Sequence, residues 1–439
     1  MPPSTNPASA AGFAPVRAWA VTLFLTFCYS ISLIDRFIMA FVAEPLRADL
    51  RLSDTQLGLV QGFAFSIIYA VAGLPLGAAV DRFQRTRIVS AAIAVWSVMT
   101  ALCGLAANFV HLLLARIGVG AGEAGLTPAA YSLLGDMFPR ERLPLASMMY
   151  MLAPTIATAS AAWLSGLLLS AAGEDGTFLL PHFGAVAAWR IVLFAIGLPG
   201  LLVAMIALAL REPARRTAVV SRQAEGELIV FLRKHWRLHI IFMIGGMFSV
   251  LAAYATSAWT PSVLSREYHW APAETGAALG SVTLICGLLG TLAGGALCSW
   301  GVTLGRDHVI VILAALAMTL EIVAGAALFF VGTGEQFIAI ASILFITSPM
   351  LFMIGPTLIQ LVTPSELRGR MTALLLFVSI ALGAGGGPVA VGAANEMFWS
   401  GQGLMQALGL VLIIAGAAGA MLFSSCVLPA RAYLRNYVA

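Results

Sequence analysis

Residues 114–131 read LARIGVGAGEAGLTPAAY, and this stretch decides the fold because it places Arg116 and Glu123 inside an otherwise apolar run. The two residues are seven positions apart, so on a helix they share a face, roughly 10 Å apart along the axis. Charged side chains in the hydrocarbon of a membrane are costly, so they face a bundle interior or a wet cavity. A second charged pair, Asp35 and Arg36, lies in the first apolar run. These four charges require one another or a ligand.

The composition predicts an all-α polytopic membrane protein. Of the 439 residues, 60% are hydrophobic and only 10% are charged, whereas soluble domains carry about 25% charged residues. Apolar runs long enough to span a bilayer predict twelve helices, at residues 17–43, 55–80, 88–107, 109–135, 145–172, 187–210, 238–263, 273–300, 308–331, 335–361, 370–395 and 402–428.

The links between these helices are mostly short, and one longer polar, arginine-rich stretch divides the chain into six plus six helices. The predicted organisation is a disordered tail (1–16), a six-helix bundle (17–210), a cytoplasmic linker (211–237), a second six-helix bundle (238–428) and a second tail (429–439). Two repeated halves with a site between them near the middle of the membrane are a transporter architecture.

The distribution of arginine predicts the orientation. With the N-terminus inside, the outer loops hold only Arg47, Arg51, Arg190 and Arg266, and most of the other basic residues fall in the inner loops and tails. Cytoplasmic loops carry the excess of Lys and Arg. Both termini are therefore expected in the cytoplasm, and the membrane is the inner membrane if the protein is bacterial.

The link between the second and third helices predicts a conformational latch formed by Gly77, Asp81, Arg82 and Arg85. A glycine one turn before an aspartate permits another helix to approach closely, and the carboxylate can then accept hydrogen bonds from exposed amides at that helix's end. The alternative, ordinary positive charge on the inner side, explains the arginines but not Gly77 with Asp81. The link resembles the major facilitator superfamily signature G-x-x-x-D-R-x-G-R-K/R, with Gln84 in place of the second glycine.

Two further patterns refine the resemblance. The spacing Arg116-x-x-x-Gly120-x-Gly122 resembles a second signature of the superfamily. Ile34-Asp35-Arg36, Arg116 with Glu123, and Glu366-Leu-Arg-Gly-Arg370 together resemble the spinster-type transporters. This resemblance implies the major facilitator fold and a sphingolipid or lysophospholipid cargo, with proton coupling proposed. Related organic-anion symporters share parts of the pattern, so a small organic anion or a drug-like molecule is the alternative cargo.

At a rise of 1.5 Å per residue, Asp35 on the first helix and Arg116 on the fourth both lie in the outer half of the membrane, and Glu123 lies nearer its middle. An Asp35–Arg116 or an Arg36–Glu123 pair is therefore possible. Burial favours the neutral form of a carboxylate and a nearby arginine favours its charged form. Glu123, with Asp35, is therefore predicted to carry the proton, taking it up when the arginine contact breaks. The alternative is a static network that holds the first and fourth helices together, although buried pairs often add little net stability.

The resemblance implies that helices 1, 4, 7 and 10 line a central cavity. The predicted substrate-binding residues are Arg36, Arg116, Tyr29, Tyr131, Tyr254, Trp259, Phe345, Phe352 and Met353. Each aromatic or methionine alone is more often a packing or lipid-facing residue. As a set they predict a charged wall in the first half opposite an apolar wall in the second, which suits an amphiphile with its polar head at the arginines.

Other classes of protein find little support in the sequence. No G-x-x-x-x-G-K-[ST] nucleotide motif, H-E-x-x-H zinc motif or nucleophile elbow occurs, so neither a cofactor nor a metal is expected, and a membrane enzyme or receptor is a remote alternative. The expected partners are the amphiphile, protons and membrane lipid, without nucleic acid, and the default state is a monomer. Glu321 is expected to be structural, and Glu44 and Glu396 to be solvated at outer helix ends.

Overall fold

A computed structural model of the protein describes residues 15–139, 141–173, 175–215, 225–304, 308–364 and 367–437. This part of the chain contains twelve helices that are long and apolar enough to cross a membrane, which confirms the predicted fold class. They are α1 (Pro15–Phe41), α2 (Asp54–Arg82), α3 (Arg85–Gly104), α4 (Phe109–Met137), α5 (Leu145–Ser170), α6 (Ala188–Leu208), α7 (Ile229–Tyr268), α8 (Pro272–Thr303), α9 (Val309–Phe330), α10 (Gly334–Val362), α11 (Arg370–Trp399) and α12 (Leu404–Arg431).

The second half departs from the predicted boundaries at both of its ends. The helix that contains α7 runs over Glu225–Tyr268, so the last part of the predicted linker is helical. The helix that contains α12 continues to Tyr437, through most of the predicted C-terminal tail. Hydropathy locates the part of a helix that lies in hydrocarbon, whereas backbone hydrogen bonding continues into polar residues beyond it. The first fourteen residues of the predicted N-terminal tail and linker residues 216–224 lie outside the described part of the chain.

The two halves repeat the same packing. Helix α3 packs on α6 in the first half, and α9 packs on α12 in the second. In the same way α1 packs on α5 and α7 on α11, while α2 packs on α4 and α8 on α10. Each packed pair in the second half corresponds to a pair in the first half whose helix numbers are lower by six. This repetition is the six-plus-six arrangement that the sequence predicts.

Two long seams join the halves, one between α2 and α11 and the other between α5 and α8. Both rely on glycine for close contact. A Cβ atom at Gly62 would lie 2.8 Å from the carbonyl oxygen of Gly385, and one at Gly276 would lie 2.5 Å from that of Ala162. Because the number of spans is even, both termini lie on one side, which we call the termini face. These seam contacts lie toward the opposite side, the far face.

The halves separate toward the termini face. A Cβ atom added at Gly73 or Gly77, near the termini end of α2, would find no other atom within 4 Å. The close approach of another helix predicted at Gly77 is therefore absent from this conformation. The cavity between the halves is closed at the far face and open at the termini face.

The α2–α11 seam is irregular in both of its helices. Leu59–Phe63 in α2 and Ser379–Ala384 in α11 are π-helical, and the two segments meet across the seam. Such π-segments are common at functional sites and at points where helices bend. The far face also carries the short helix Ala43–Leu50 and an antiparallel hairpin of β1 (Thr177–Leu180) and β2 (Gly184–Ala187).

Candidate functional site

Four charged side chains meet inside the first half, and we call them the intrabundle group: Asp35, Arg36, Arg116 and Glu123. The neighbours Asp35 and Arg36 point from α1 toward different partners. Arg36 Nη2 lies 2.8 Å from Glu123 Oε2, and Arg116 Nη1 lies 3.7 Å from Asp35 Oδ1. Both pairs suggested by the sequence are therefore present. With two acids and two bases, the group is formally neutral.

The Arg36–Glu123 pair is the tighter of the two and lies nearer the cavity. Its 2.8 Å contact is a hydrogen bond as well as an ion pair. The guanidinium also lies over the rings of Phe65 and Tyr69 on α2, 4.2 Å and 4.9 Å from their centroids, where cation–π attraction favours it. Arg36 remains partly exposed, whereas the Glu123 side chain is fully buried.

The Asp35–Arg116 pair is looser and deeper. At 3.7 Å its closest atoms are too far apart for a hydrogen bond, and Asp35 instead accepts a hydrogen bond from the hydroxyl of Thr100 on its other oxygen. Arg116 is fully buried, and none of its guanidinium nitrogens has a hydrogen-bond partner among the described residues. Arg116 is therefore placed to hold Asp35 rather than to reach the cavity.

The predicted tyrosines form an aromatic wall beside this group. Tyr29 of α1 stacks on Tyr150 at 4.8 Å between ring centroids, and Tyr131 meets the edge of the same ring at 5.5 Å. Tyr254 of α7 faces Phe37 of α1 at 6.3 Å, across the two halves. Sequence reasoning missed Tyr150, which is fully buried between the other two tyrosines; its place early in α5, outside the helices expected to line the cavity, gave no signal.

The second half presents an apolar recess of about 70 Å³ between α7, α10 and α11. Tyr254 and the half-exposed Phe352 line its mouth, where α7 meets the first half. Buried Phe242 and Phe423, whose ring centroids are 5.3 Å apart, line its inner end. Ser249, Ser348 and Ser379 are the small polar residues in an otherwise largely apolar lining. The recess is therefore suited to an alkyl chain.

The remaining predicted cavity residues differ in their surroundings. Trp259 is fully buried and its indole N–H donates a 2.9 Å hydrogen bond to the carbonyl oxygen of Pro388 on α11. It thus packs α7 against α11 in this conformation, because an indole N–H placed in a helix bundle seeks a carbonyl partner. Its contact with a substrate stays a prediction. Phe345 and Met353 on α10 are partly buried, and only Phe352 of the three lines the recess.

A second charged group crosses between the halves at the far face, and we call it the seam group: Glu44, Asp54, Arg266, Asn395 and Glu396. Arg266 of α7 donates hydrogen bonds of 2.7 and 2.9 Å to the two oxygens of Asp54 at the start of α2. Its Nε lies 2.7 Å from Glu44 Oε2. Asn395 of α11 donates a 2.7 Å hydrogen bond to the same carboxylate of Asp54.

The seam group corrects the expectation that Glu44 and Glu396 are merely solvated. Glu396 of α11, although exposed, accepts hydrogen bonds of 2.8 Å from both the amide and the hydroxyl of Thr55 on α2. Glu44 contacts Arg266 of the other half. Charges at helix ends are common in membrane proteins, so their positions in the sequence did not distinguish them. Their partners are far away in the chain and only the fold brings them together.

At the termini face the four predicted latch residues do not join the halves. The side chains of Asp81 and Arg82 are exposed and have no described partner. Arg85 is fully buried, where it binds the carboxylate of Asp136 on α4 and, at 2.7 Å, that of Glu212 after α6. Arg85 therefore stabilises the first half internally.

Glu212 also binds the first amides of α3. Its carboxylate accepts hydrogen bonds from the backbone N–H groups of Arg85 and Thr86, at 3.3 and 3.0 Å, as an anion at a helix N-terminus does. Burial alone would raise the pKa of Glu212, but these amides and the Arg85 guanidinium hold that pKa below its ordinary value. Arg215 binds the carbonyl oxygens of Val80, Asp81 and Phe83 at the end of α2.

Glu321 of α9 is a membrane carboxyl group that belongs to neither of these two groups. It is fully buried, and Oε1 lies 3.4 Å from the hydroxyl of Thr347 on α10. Its other oxygen has no hydrogen-bond partner among the described residues. This placement between two helices of one half agrees with a structural role and makes Glu321 a useful reference for Glu123.

The chain belongs to the Major Facilitator Superfamily, whose sequence model matches residues 25–388. Together with the twelve apolar helices and the repeated halves, this makes it a multi-pass membrane protein and a secondary transporter. Within the superfamily its likeness is to the spinster transporters. The structure of a bacterial homolog to the human lysosomal transporter Spinster, in an inward-facing and unoccupied conformation, matches with a TM-score of 0.82 and 26% identity, over 97% of this chain and 99% of that one.

Other relatives carry different names. The MFS-type efflux pump of Mycolicibacterium smegmatis (strain ATCC 700084 / mc(2)155) is 28% identical over 414 residues, which cover 94% of this chain and 92% of the pump. The probable L-galactonate transporter of Escherichia coli (strain K12) is 26% identical over 297 residues, which cover 63% of this chain and 61% of that transporter. The relatives therefore agree on transport and differ in cargo.

Proposed function

We propose that the protein transports an amphiphilic, lipid-like molecule, a lysophospholipid or a sphingolipid, by alternating access coupled to protons. One observation carries the proposal: the charged intrabundle group of the first half stands opposite the apolar recess of the second. An amphiphile that enters from the open termini face has a polar wall and an apolar wall within reach at once.

Arg36 is the residue that would hold the polar head. It is the partly exposed arginine of the intrabundle group, and a guanidinium binds phosphate or carboxylate oxygens in a planar, two-pronged geometry. Its present partner is the carboxylate of Glu123, 2.8 Å away. An anionic head group therefore competes with Glu123 for the same cation. Arg116, fully buried, positions Asp35 instead.

Glu123 is the proposed proton carrier because its protonation resolves this competition. While the carboxylate is charged it occupies Arg36, and once protonated it leaves the guanidinium to the substrate. Binding of the proton and binding of an anionic head group therefore favour one another, which is the thermodynamic condition for coupling. Asp35, one residue away on α1 and held loosely by Arg116 at 3.7 Å, is the second candidate for a proton.

The recess is the proposed site for the alkyl chain. Its volume of about 70 Å³ is below the range of roughly 300 to 1,000 Å³ found for whole ligand sites, so it would hold one segment of the chain while the rest lies in the open cavity. Tyr254 and Phe352 at its mouth lie where a chain would pass from the cavity into the second half. Burial of each CH₂ group contributes about 0.8 kcal/mol, so a long chain is preferred to a short one.

The seam group would control access from the far face. In the present conformation Arg266 holds Asp54 across the halves, and this contact must break before the far face can open. Asp81 and Arg82, exposed here, are free to form the predicted latch when the termini face closes. The bending needed for this exchange fits the π-helical segments that face each other in the α2–α11 seam.

A small organic anion or drug-like molecule is the second candidate cargo. Two relatives are named as a probable L-galactonate transporter and an efflux pump. A carboxylate would compete with Glu123 for Arg36 in the same way as a lipid head group, and Tyr29 and Tyr69 lie near the Arg36 guanidinium. Such a cargo would leave the recess without a role.

Proton movement in proteoliposomes tests the proposal. Purified protein is reconstituted with a pH-sensitive dye inside, and a lysophospholipid, a sphingoid amphiphile or a small organic acid is added. Glu123→Gln is measured beside wild type, with Glu321→Gln as the matched control because both remove a fully buried membrane carboxyl group. We expect an amphiphile-dependent pH change in wild type and Glu321→Gln, and at least a tenfold smaller one in Glu123→Gln.

Two other results would contradict parts of this reading. A response to the organic acid alone would replace the lipid cargo with the second candidate. Coupling in Glu123→Gln equal to that of wild type would remove Glu123 from the proton pathway. Size-exclusion chromatography of each variant separates loss of coupling from loss of folding.

A further inference from the structure

An open groove lies on the termini face where α2 ends and α3 begins, away from the transport cavity's intrabundle group. Its lining combines two arginines with apolar and amide side chains: Arg82, Phe83, Gln84, Arg87, Ile88 and Ala91. Nothing in the proposed transport of a cargo uses this groove as a unit.

The two arginines of the groove are not neutralised by the protein. Arg82 and Arg87 are exposed, and no carboxylate of the described residues pairs with either. The neighbouring Arg85 is in contrast bound to Asp136 and Glu212. Arg215 is bound to the carbonyl oxygens at the end of α2. Arg82 and Arg87 thus remain available for an external anion.

The groove continues into a lipid-facing stripe of α3. Phe83 at its edge is 63% exposed. Farther along α3, toward the far face, four exposed residues follow one another at steps of three and four: Ala91, Val95, Val98 and Leu102. That spacing keeps them on one face of the helix. In a membrane-spanning helix such a face contacts the acyl chains of the bilayer.

We propose that this groove binds an anionic phospholipid of the leaflet on the termini side. The head-group phosphate lies between Arg82 and Arg87, and the acyl chains follow the stripe of α3. Guanidinium groups next to an apolar surface at the membrane boundary match the charge of the head group and the apolar nature of the chains at once. The occupant is a bilayer lipid rather than a cargo, and the proposal does not depend on what the transporter carries.

The site also bears on the latch. Arg82 is a predicted latch residue and is free here, in the conformation that is open at the termini face. A lipid that binds Arg82 only when the latch is open favours that conformation, because a ligand shifts an equilibrium toward the state it binds better. Arg87 is outside the latch, so its replacement tests lipid binding alone.

Native mass spectrometry of the full-length protein in detergent tests the site. Phosphatidylglycerol is titrated in, with phosphatidylcholine of the same chain length and inorganic phosphate as separate arms. Arg82→Gln, Arg87→Gln and the double variant are compared with Arg142→Gln, which removes an exposed arginine with no described partner from another loop of the same face. We expect about a fivefold loss of phosphatidylglycerol affinity for each groove arginine, a combined loss of about 25-fold, and less than twofold for Arg142→Gln.

Three results would overturn the proposal. The double variant could bind phosphatidylglycerol as wild type does. Phosphatidylcholine could bind as tightly as phosphatidylglycerol, which would remove the role of charge. Inorganic phosphate could displace the lipid, and its own affinity could fall by the same factor in the variants. That result would make this a site for free phosphate. Both arginines are exposed, so circular dichroism should show unchanged folding in every variant.

Discussion

The intrabundle group and the seam group use the same kinds of side chain but join different parts of the molecule. Asp35, Arg36, Arg116 and Glu123 all belong to the first half. The seam group instead ties Asp54 of the first half to Arg266 of the second. When two bundles rock against each other, contacts within one bundle persist and contacts between them break.

This difference assigns different tasks to the two groups. A group within one half can bind a proton or a head group in either conformation of the transporter, since its geometry moves as one body. A group across the seam is intact in one conformation and broken in the other, so it helps to decide which conformation is present. Variants of the two groups should therefore affect charge chemistry and gating separately.

The largest effect is expected from removing one partner of the deeper intrabundle pair. Arg116→Met leaves Asp35 buried without its cation, and breaking a buried pair in this way costs about 3–5 kcal/mol. Adding Asp35→Asn removes the second charge, so the double variant should recover to within about 1 kcal/mol of wild type. Thermal unfolding of the purified protein in detergent measures both.

The double variant is also the informative one for function. If the Asp35–Arg116 pair serves proton coupling, the double variant should be folded but unable to couple transport to protons. A double variant that is as destabilised as Arg116→Met would show that the pair holds α1 and α4 together, as the static alternative requires. Full coupling in the folded double variant would exclude Asp35 from the proton pathway.

The next effect concerns the seam. Arg266→Gln removes the cation that binds Asp54 and Glu44, and the closed far face should lose about 2–3 kcal/mol relative to the open one. Spin labels at Ser170 and Glu274, exposed at the far-face ends of α5 and α8, report the separation of the halves. Measured in a background without native cysteines, their distance distribution should shift to longer values.

Arg51→Gln is the matched control for this measurement. Arg51 is exposed at the same face and has no described partner, so its replacement should leave the distances unchanged. The Arg116→Met/Asp35→Asn variant should also leave them unchanged. If the far face opened in that double variant, or did not open in Arg266→Gln, the two groups would not have separate tasks.

The twelve spans and the intrabundle pairs could be predicted from the sequence because both depend on residues that are unusual where they stand. A charge inside an apolar run is costly, so the four residues of the intrabundle group can be recognised in the sequence. Their spacing along two helices limits which of them can pair. The repeated halves followed from the polar stretch after α6.

The seam group and the apolar recess could not be predicted in the same way. Asp54 and Arg266 stand at helix ends, where charges are ordinary, and their contact spans more than two hundred residues of sequence. The recess depends on the angles between α7, α10 and α11. The packing of Trp259 could not be predicted either, because its hydrogen bond to the carbonyl oxygen of Pro388 joins residues far apart in the sequence.

The smallest effect tests a charged contact that belongs to neither group. Glu212 binds Arg85 and the start of α3 within the first half, so its loss should lower stability without moving the halves. Because its pKa is held below the ordinary value of 4.5, its contribution is present above that value and is lost as the pH falls through the lower native pKa. Glu212→Gln should therefore unfold more easily than wild type at pH 7, by at most ~1 kcal/mol for a partly exposed pair, and the gap should close on acidification.

Thermal unfolding of wild type and Glu212→Gln across the acidic range measures this gap, with Glu274→Gln as control. Glu274 is exposed at the far face with no described side-chain partner, so its replacement should change stability at pH 7 by less than Glu212→Gln does. A gap for Glu212→Gln that widens as the pH falls would mean that the carboxyl group stabilises the fold in its protonated form. A change in the Ser170–Glu274 distance in Glu212→Gln would mean that this contact, although confined to one half, also takes part in gating.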